Sequence, residues 1–241
     1  MVSETQAWPW LAPWNFDALR FLFKLAPHTN LGVRLATFLL QNPLMTTWVF
    51  AAVSYAYWAK QDERTLERRI YLLRIVAASA LSFVLAALLD VKIAWASPAR
   101  TMGFQSLFPS YLWGTGSSNS FPSHSTMVYL IVSLGLLRLN KVAGLLLFPF
   151  TFLIISFPRI YVGGHYPIDI AGSILLAVLS LAAIDLFLVN RRVTDAFSWA
   201  ATRGHDSEVF FFLWLYELAD GFRSAEDTVH FATRLLRALL T

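Results

Sequence analysis

The sequence predicts an all-α fold, a bundle of about five to six transmembrane helices with interfacial amphipathic helices at both ends. Three observations carry that reading. Hydrophobic residues make up 57% of the 241 and charged residues only 14%, against about 25% in an ordinary soluble domain. Apolar runs near the length that crosses a bilayer recur along the chain. The remaining charges gather between those runs, beside tryptophan and tyrosine, as at a membrane–water boundary. There is no cysteine, which excludes disulfides and thiolate metal sites. The net charge of +4 sits in loops and suits anionic lipid headgroups better than nucleic acid.

Three units follow in order. Residues 1–43 read as an N-terminal interfacial segment. Its opening stretch has no basic region followed by an apolar core, so no cleavable signal peptide is expected. Trp8, Trp10 and Trp14 are anchors, and Phe16, Leu19, Leu22 and Phe23 share one side of a helix over Asn15–Leu25. Leu31–Leu40 continues in that style, and Pro43 separates it from a first span over Leu44–Ala59; one bent span from Leu31 to Ala59 is the alternative.

Residues 44–190 read as the membrane core. After the charged loop Lys60–Arg69 comes a second span, Ile70–Leu89, with Arg74 one turn inside and able to snorkel. Asp90–Ser123 is a long polar connection, and such a loop in so apolar a chain points to function. Thr126–Leu139, Val142–Phe157 and Ile168–Val189 make the third to fifth spans. Residues 191–241 are a C-terminal tail. Val209–Leu218 is apolar but too short to span, and Ala225–Leu240 sets Val229, Ala232, Leu236 and Leu239 on one face. Both suit interfacial helices, a surface for a protein partner, or packing on the chain's own spans.

Lys60–Arg69, Arg138–Lys141 and Arg191–Arg192 are basic and fall on one side, the cytoplasmic one by the positive-inside rule. The loops holding Lys92–His124 and Arg159–His165 then share the opposite face. Three groups converge there. Lys92 and Arg100 supply positive charge. Ser123, His124 and Ser125 open a helix, and a helix N-terminus offers amides and the positive end of a dipole to an anion. Arg159 presents a fork-shaped cation suited to phosphate. Gly163 and Gly164 bring bare amides close to a ligand. Asp169, four residues after His165, can accept the proton on one ring nitrogen and leave the other as nucleophile or base. Cations, a helix N-terminus and an Asp-oriented histidine together point to phosphoryl transfer at His165.

The pattern Pro158-Arg159-x3-Gly163-x-His165-x3-Asp169 resembles the third signature of the membrane-bound type 2 phosphatidic acid phosphatases, Ser-Arg-x3-Gly-x-His-x3-Asp, with only the leading serine lost. The resemblance covers about residues 15–190. It implies a helical core, a phosphohistidine on His165, orientation by Asp169, phosphate binding by Arg159, and no metal or cofactor. Ser-Phe-Pro-Ser at 120–123, with the interfacial N-terminal helices and short spans, is most similar to the small undecaprenyl-diphosphate phosphatase branch.

Two departures bear on the chemistry. The family's Lys-x6-Arg-Pro is here Lys92 and, one residue late, Arg100, with Pro98 before it. Its Pro-Ser-Gly-His is here Pro122-Ser123-His124-Ser125, so without a gap Ser125 takes the position of the histidine that protonates the leaving group, and His124, one residue early, is the other candidate for that catalytic acid. A one-residue shift turns a helical side chain by about 100°. A lipid alkoxide needs that proton badly; a phosphate monoester, with a second pKa of about 6, does not. The expected substrate is therefore a polyprenyl diphosphate or related lipid phosphate in a bacterial inner membrane, with the site facing the periplasm or cell exterior. The rivals are a lipid phosphotransferase and a non-catalytic lipid-phosphate-binding protein. A transporter fits less well, since Arg74 alone among ionisable residues lies well inside a span.

Overall fold

The structure is a computed structural model that describes residues 12–93, 95–116 and 119–221. It is 80% helical, with no strands among the described residues. The described residues form, in order, the α-helices α1 (Ala12–Leu25), α2 (Asn30–Gln41), α3 (Pro43–Ala59), α4 (Thr65–Lys92), the short α5 (Met102–Gln105), α6 (His124–Leu139), α7 (Lys141–Phe150), α8 (Phe157–Tyr161), α9 (Pro167–Phe187), α10 (Arg191–Thr202) and α11 (Gly204–Asp220). Among the described residues three helical stretches are long and apolar enough to cross a membrane: Thr65–Leu89, Lys141–Tyr161 and Pro167–Phe187. The apolar α6 is shorter. Val84, Leu88, Leu145, Leu146, Leu153, Leu175 and Val178 stand exposed along those helices. A lipid environment makes such an outward-facing apolar surface stable.

The central helix is α6. Ser125 to Ser133, then Gly135 and Leu136, are all buried, and α3, α4, α7 and α9 pack around it. Lipid tails are as apolar as leucine, so close packing and interhelical hydrogen bonds must do what water exclusion does in soluble proteins. The contacts match that demand. Ser133 bonds Thr151 at 3.1 Å and Thr126 bonds Ser156 at 3.0 Å, tying α6 to the following span.

That following span is not regular. Pro149 lies inside α7 and removes one backbone donor; a π-helical segment, Thr151–Ser156, joins α7 to α8. The hydroxyls of Thr151 and Ser156 donate to the carbonyls of Leu147 and Thr151, which keeps backbone acceptors satisfied inside a membrane.

The turn between α3 and α4 is held by Arg68, which donates to both Asp62 carboxylate oxygens and to the carbonyls of Tyr57 and Lys60. The hydrogen bond from Arg68 keeps the Asp62 carboxyl below the usual carboxylate range. At the same end of the bundle Arg138 of α6 pairs with Asp185 of α9.

Of the three readings open for the tail, α11 takes the last, packing on the chain's own helices. It runs along α3 with Phe211, Trp214 and Leu218 buried. Phe211 stacks on Trp58, ring centroids 4.1 Å apart. At its far end the carbonyls of Leu218 and Ala219 accept from Tyr129 of α6 and Thr47 of α3, both at 2.6 Å. The expected helix over Ala225–Leu240 and the anchors Trp8 and Trp10 lie outside the described residues; Trp14 is exposed.

Candidate active site

At the end of the bundle opposite Arg138 and Asp185, three segments far apart in sequence are stitched together by backbone hydrogen bonds. The 3₁₀ turn Pro98–Arg100 is joined to the loop after α8 by Ala99 N donating to Gly163 O at 3.0 Å. Gly163 has φ +77°, and a Cβ there would press on Ala99 and Phe108; only glycine permits both the turn and that approach. Tyr166 reaches the same turn from the other side, its hydroxyl 2.9 Å from Thr101 Oγ1. The loop before α6 is joined in turn: Ser120 N donates to Trp95 O at 2.6 Å. Phe121, next to a cis peptide at Pro122, lies against α9 where Gly172 has no side chain to obstruct it.

His165 occupies the middle of this assembly. Its Nδ1 lies 2.7 Å from the Ser120 carbonyl oxygen and 3.3 Å from Asp169 Oδ2. A carbonyl can only accept, so Nδ1 carries a proton, and in the neutral ring the lone pair is on Nε2. The expected Asp169 partner is present but shared. Asp169 is fully buried, and Oδ2 also accepts the Tyr166 amide at 2.8 Å, capping α9. The nearer acceptor, the Ser120 carbonyl, gives no side-chain signal and was not foreseen.

The second group divides between two directions. Ser125 is buried and its Oγ accepts from Arg159 Nη2 at 2.8 Å. Arg159 Nη1 donates to Ile155 O at 2.8 Å. His124, one residue earlier, turns its ring toward Phe83 of α4, centroids 5.9 Å apart. Ser123 is fully buried; its hydroxyl donates to Thr126 and its carbonyl accepts from Ser173 of α9.

Two sequence-derived expectations need restating. Gly164 was expected to offer a bare amide to phosphate, yet that amide donates to Arg159 O at 2.8 Å, as does His165 N at 3.3 Å. These amides close the end of α8, whose last carbonyls would otherwise be unpaired. Ser123, likewise expected at the phosphate, has its hydroxyl directed inward. Lys92 ends α4, with its side chain outside the described residues. Arg100 closes the turn that Gly163 and Tyr166 hold, and is half-buried. Among the described residues no group of three His, Asp or Glu is placed to hold a metal ion.

Ser125 and Arg159 share a cavity of about 110 Å³, which Thr46, Thr47, Tyr129 and Gly221 also line. It is polar and roomy enough for several ordered waters. On the N-terminal side, the corner between α1 and α2 clasps Tyr161. Tyr161 Oη donates to Pro27 O at 2.7 Å and accepts from Thr29 N at 3.2 Å, and His28 Nε2 donates to Tyr161 O at 2.8 Å. Burial lowers the pKa of His28 from its usual 6.5, against a smaller opposing effect of that hydrogen bond.

The chain is similar to two bacterial BcrC proteins. Undecaprenyl-diphosphatase BcrC of Bacillus subtilis (strain 168) is 42% identical over 60 residues, 25% of this chain and 31% of that protein. The bacitracin transport permease protein BcrC of Bacillus licheniformis is 29% identical over 168 residues, 69% of this chain and 76% of that one. The match thus spans under a third of the first relative's length and about three quarters of the second's. No protein-family model matches the chain, and no solved structure does.

Proposed function

We propose that the protein is a membrane lipid phosphatase that removes one phosphate from a polyprenyl diphosphate, or a related lipid phosphate, through a phosphohistidine on His165. The observation that carries this reading is the hold on His165: Nδ1–H is directed at the Ser120 carbonyl and Asp169, which leaves Nε2 as the nucleophile. In the first half-reaction Nε2 attacks the terminal phosphorus, a P–N bond forms, and the bridging P–O bond breaks. The lipid monophosphate departs with the electron pair of that bond. Asp169 and the Ser120 carbonyl stabilise the positive ring. Arg159, with Lys92 and Arg100, offsets the charge on the equatorial oxygens. Water then attacks phosphorus and Nε2 leaves; inorganic phosphate is released and the water proton passes to solvent.

Ser125 fits this substrate class. A phosphate monoester leaving group has a second pKa of about 6, so no strong acid is required where the histidine of the resembled family would stand. The name undecaprenyl-diphosphatase, carried by one relative, supports the same class. The basic loops at the opposite end support a site outside the cytoplasm of a bacterial inner membrane.

The test is phosphate release by purified protein in detergent with EDTA, comparing undecaprenyl diphosphate, phosphatidate and phosphatidylglycerol phosphate. Release from the diphosphate that survives EDTA and drops by about 10³-fold or more in His165→Ala is the expected result. The second reading, a non-catalytic lipid-phosphate-binding protein, rests on Ser125 itself. No release from any substrate, with or without an added acceptor, would establish it over the phosphatase and the phosphotransferase.

A further inference from the structure

Helix α2 presents three different faces. Val33 and Ala36 are buried toward the core. Leu31, Leu35 and Phe38 form an exposed apolar stripe at i, i+4 and i+7. Asn30, Arg34, Thr37 and Gln41 form a polar stripe about 100° further round. That polar stripe lines an open groove of about 520 Å³ between α2 and the 3₁₀ turn at Ser110–Leu112, which contributes Tyr111 and Leu112. Arg34 is exposed and has no hydrogen-bond or ion-pair partner among the described residues. On its other side α2 sends Leu39 and Leu40 to the wall of the cavity that Arg159 and Ser125 share.

From these observations we infer that the groove is a docking site for the phosphate-bearing headgroup of the lipid substrate, held by Arg34 before transfer to His165. The inference rests on the phosphatase reading for the identity of the ligand. A guanidinium without a partner in a groove suits a phosphate, to which it can donate two parallel hydrogen bonds. The neighbouring stripe of Leu31, Leu35 and Phe38 supplies apolar surface for the lipid's chain. Polar donors and apolar surface lie side by side on one short helix, as an amphiphile at a membrane boundary requires. The same helix separates the groove from the Arg159 cavity, so a lipid held there is one helix away from the reacting groups.

The test uses full-length His165→Ala protein, which does not turn substrate over, in phosphatidylcholine nanodiscs. Farnesyl diphosphate, phosphatidylglycerol and inorganic phosphate are titrated separately. Adding Arg34→Gln should weaken farnesyl diphosphate binding about two- to five-fold, the scale of one exposed charge pair, and Arg34→Lys should recover part of the loss. In otherwise unaltered protein the effect of Arg34→Gln should fall on KM rather than kcat. Equal affinity with and without Arg34 would overturn the proposal. So would an equal loss for phosphatidylglycerol, which would make the groove a general anionic-lipid surface. Inorganic phosphate binding as tightly as farnesyl diphosphate would exclude a lipid as the source. Failure of the phosphatase reading shows separately, as no phosphate release from protein that still binds farnesyl diphosphate through Arg34.

Discussion

Helices α6 and α9 both begin at the same end of the bundle, yet their first turns are equipped in opposite ways. In α9 the donors are spent. Pro167 has no N–H, Ile168 N donates to Asn15 Oδ1 at 3.3 Å, Asp169 N donates to the Tyr166 carbonyl, and the Asp169 carboxylate caps Tyr166 N. In α6 no side chain caps the first turn; the Ser123 hydroxyl passes over the amides to reach Thr126. Two helix N-termini side by side are therefore not two anion sites. The first turn of α9 holds Asp169 against the His165 ring, and under the proposed function it is the first turn of α6 that would meet the phosphate.

The largest effect should come from unsettling that hold. Asp169→Asn keeps an oxygen for the Tyr166 amide but removes the charge opposite the His165 ring, so activity should fall about 10²- to 10⁴-fold with little change in thermal stability. Asp169→Ala should lose the cap as well and melt lower by the equivalent of about 1 kcal/mol. Equal melting temperatures for the two variants would deny Asp169 its capping role. A smaller effect should come from the α6 side. Ser125→His places an imidazole beside Arg159 and should raise monophosphate hydrolysis relative to diphosphate by about 10-fold or more, measured as the ratio of kcat/KM for phosphatidate and undecaprenyl diphosphate. An unchanged ratio would mean that position 125 does not face the leaving group.

The smallest effect concerns the corner that clasps Tyr161, ahead of the His165 loop. The pKa of His28 is lowered in the folded state, so the unfolded chain binds the proton more readily. Its contribution to stability is complete above the unfolded value of 6.5 and is lost as the pH falls below it toward the lower folded value. Thermal unfolding followed from pH 7.5 downward (a range of about one to two units around that value) should show the decline, and His28→Gln should flatten it.

Much of this arrangement is legible in the sequence. Uniformly apolar runs announce the spans, and Pro167 announces a helix start whose first turn brings the Asp169 carboxylate back to His165, the residue just before the cap. What escaped is backbone chemistry. The Ser120 carbonyl that fixes the His165 tautomer would be there with almost any residue at position 120. The Gly164 amide looked available because nothing in the order of residues says that the end of α8 will claim it. The fate of α11 was equally hidden. Its segment Val209–Leu218 is apolar nearly all round, so no periodicity distinguishes the face carrying Phe211, Trp214 and Leu218 from the faces left exposed.

The bonds from Tyr129 and Thr47 to the end of α11 bear on how the protein is made. Helices α3 and α6 emerge from the ribosome well before α11; the Thr47 hydroxyl can meanwhile donate to Pro43 O within its own helix at 2.6 Å, whereas the Tyr129 hydroxyl waits for the Leu218 carbonyl in a medium that offers few others. Gly221, just past the end of α11, lines the cavity of Arg159 and Ser125. Helices α3 to α9 can thus be threaded into the bilayer while that cavity still lacks a wall. The wall of that cavity is completed by the docking of the last described helix rather than by the insertion of the spans.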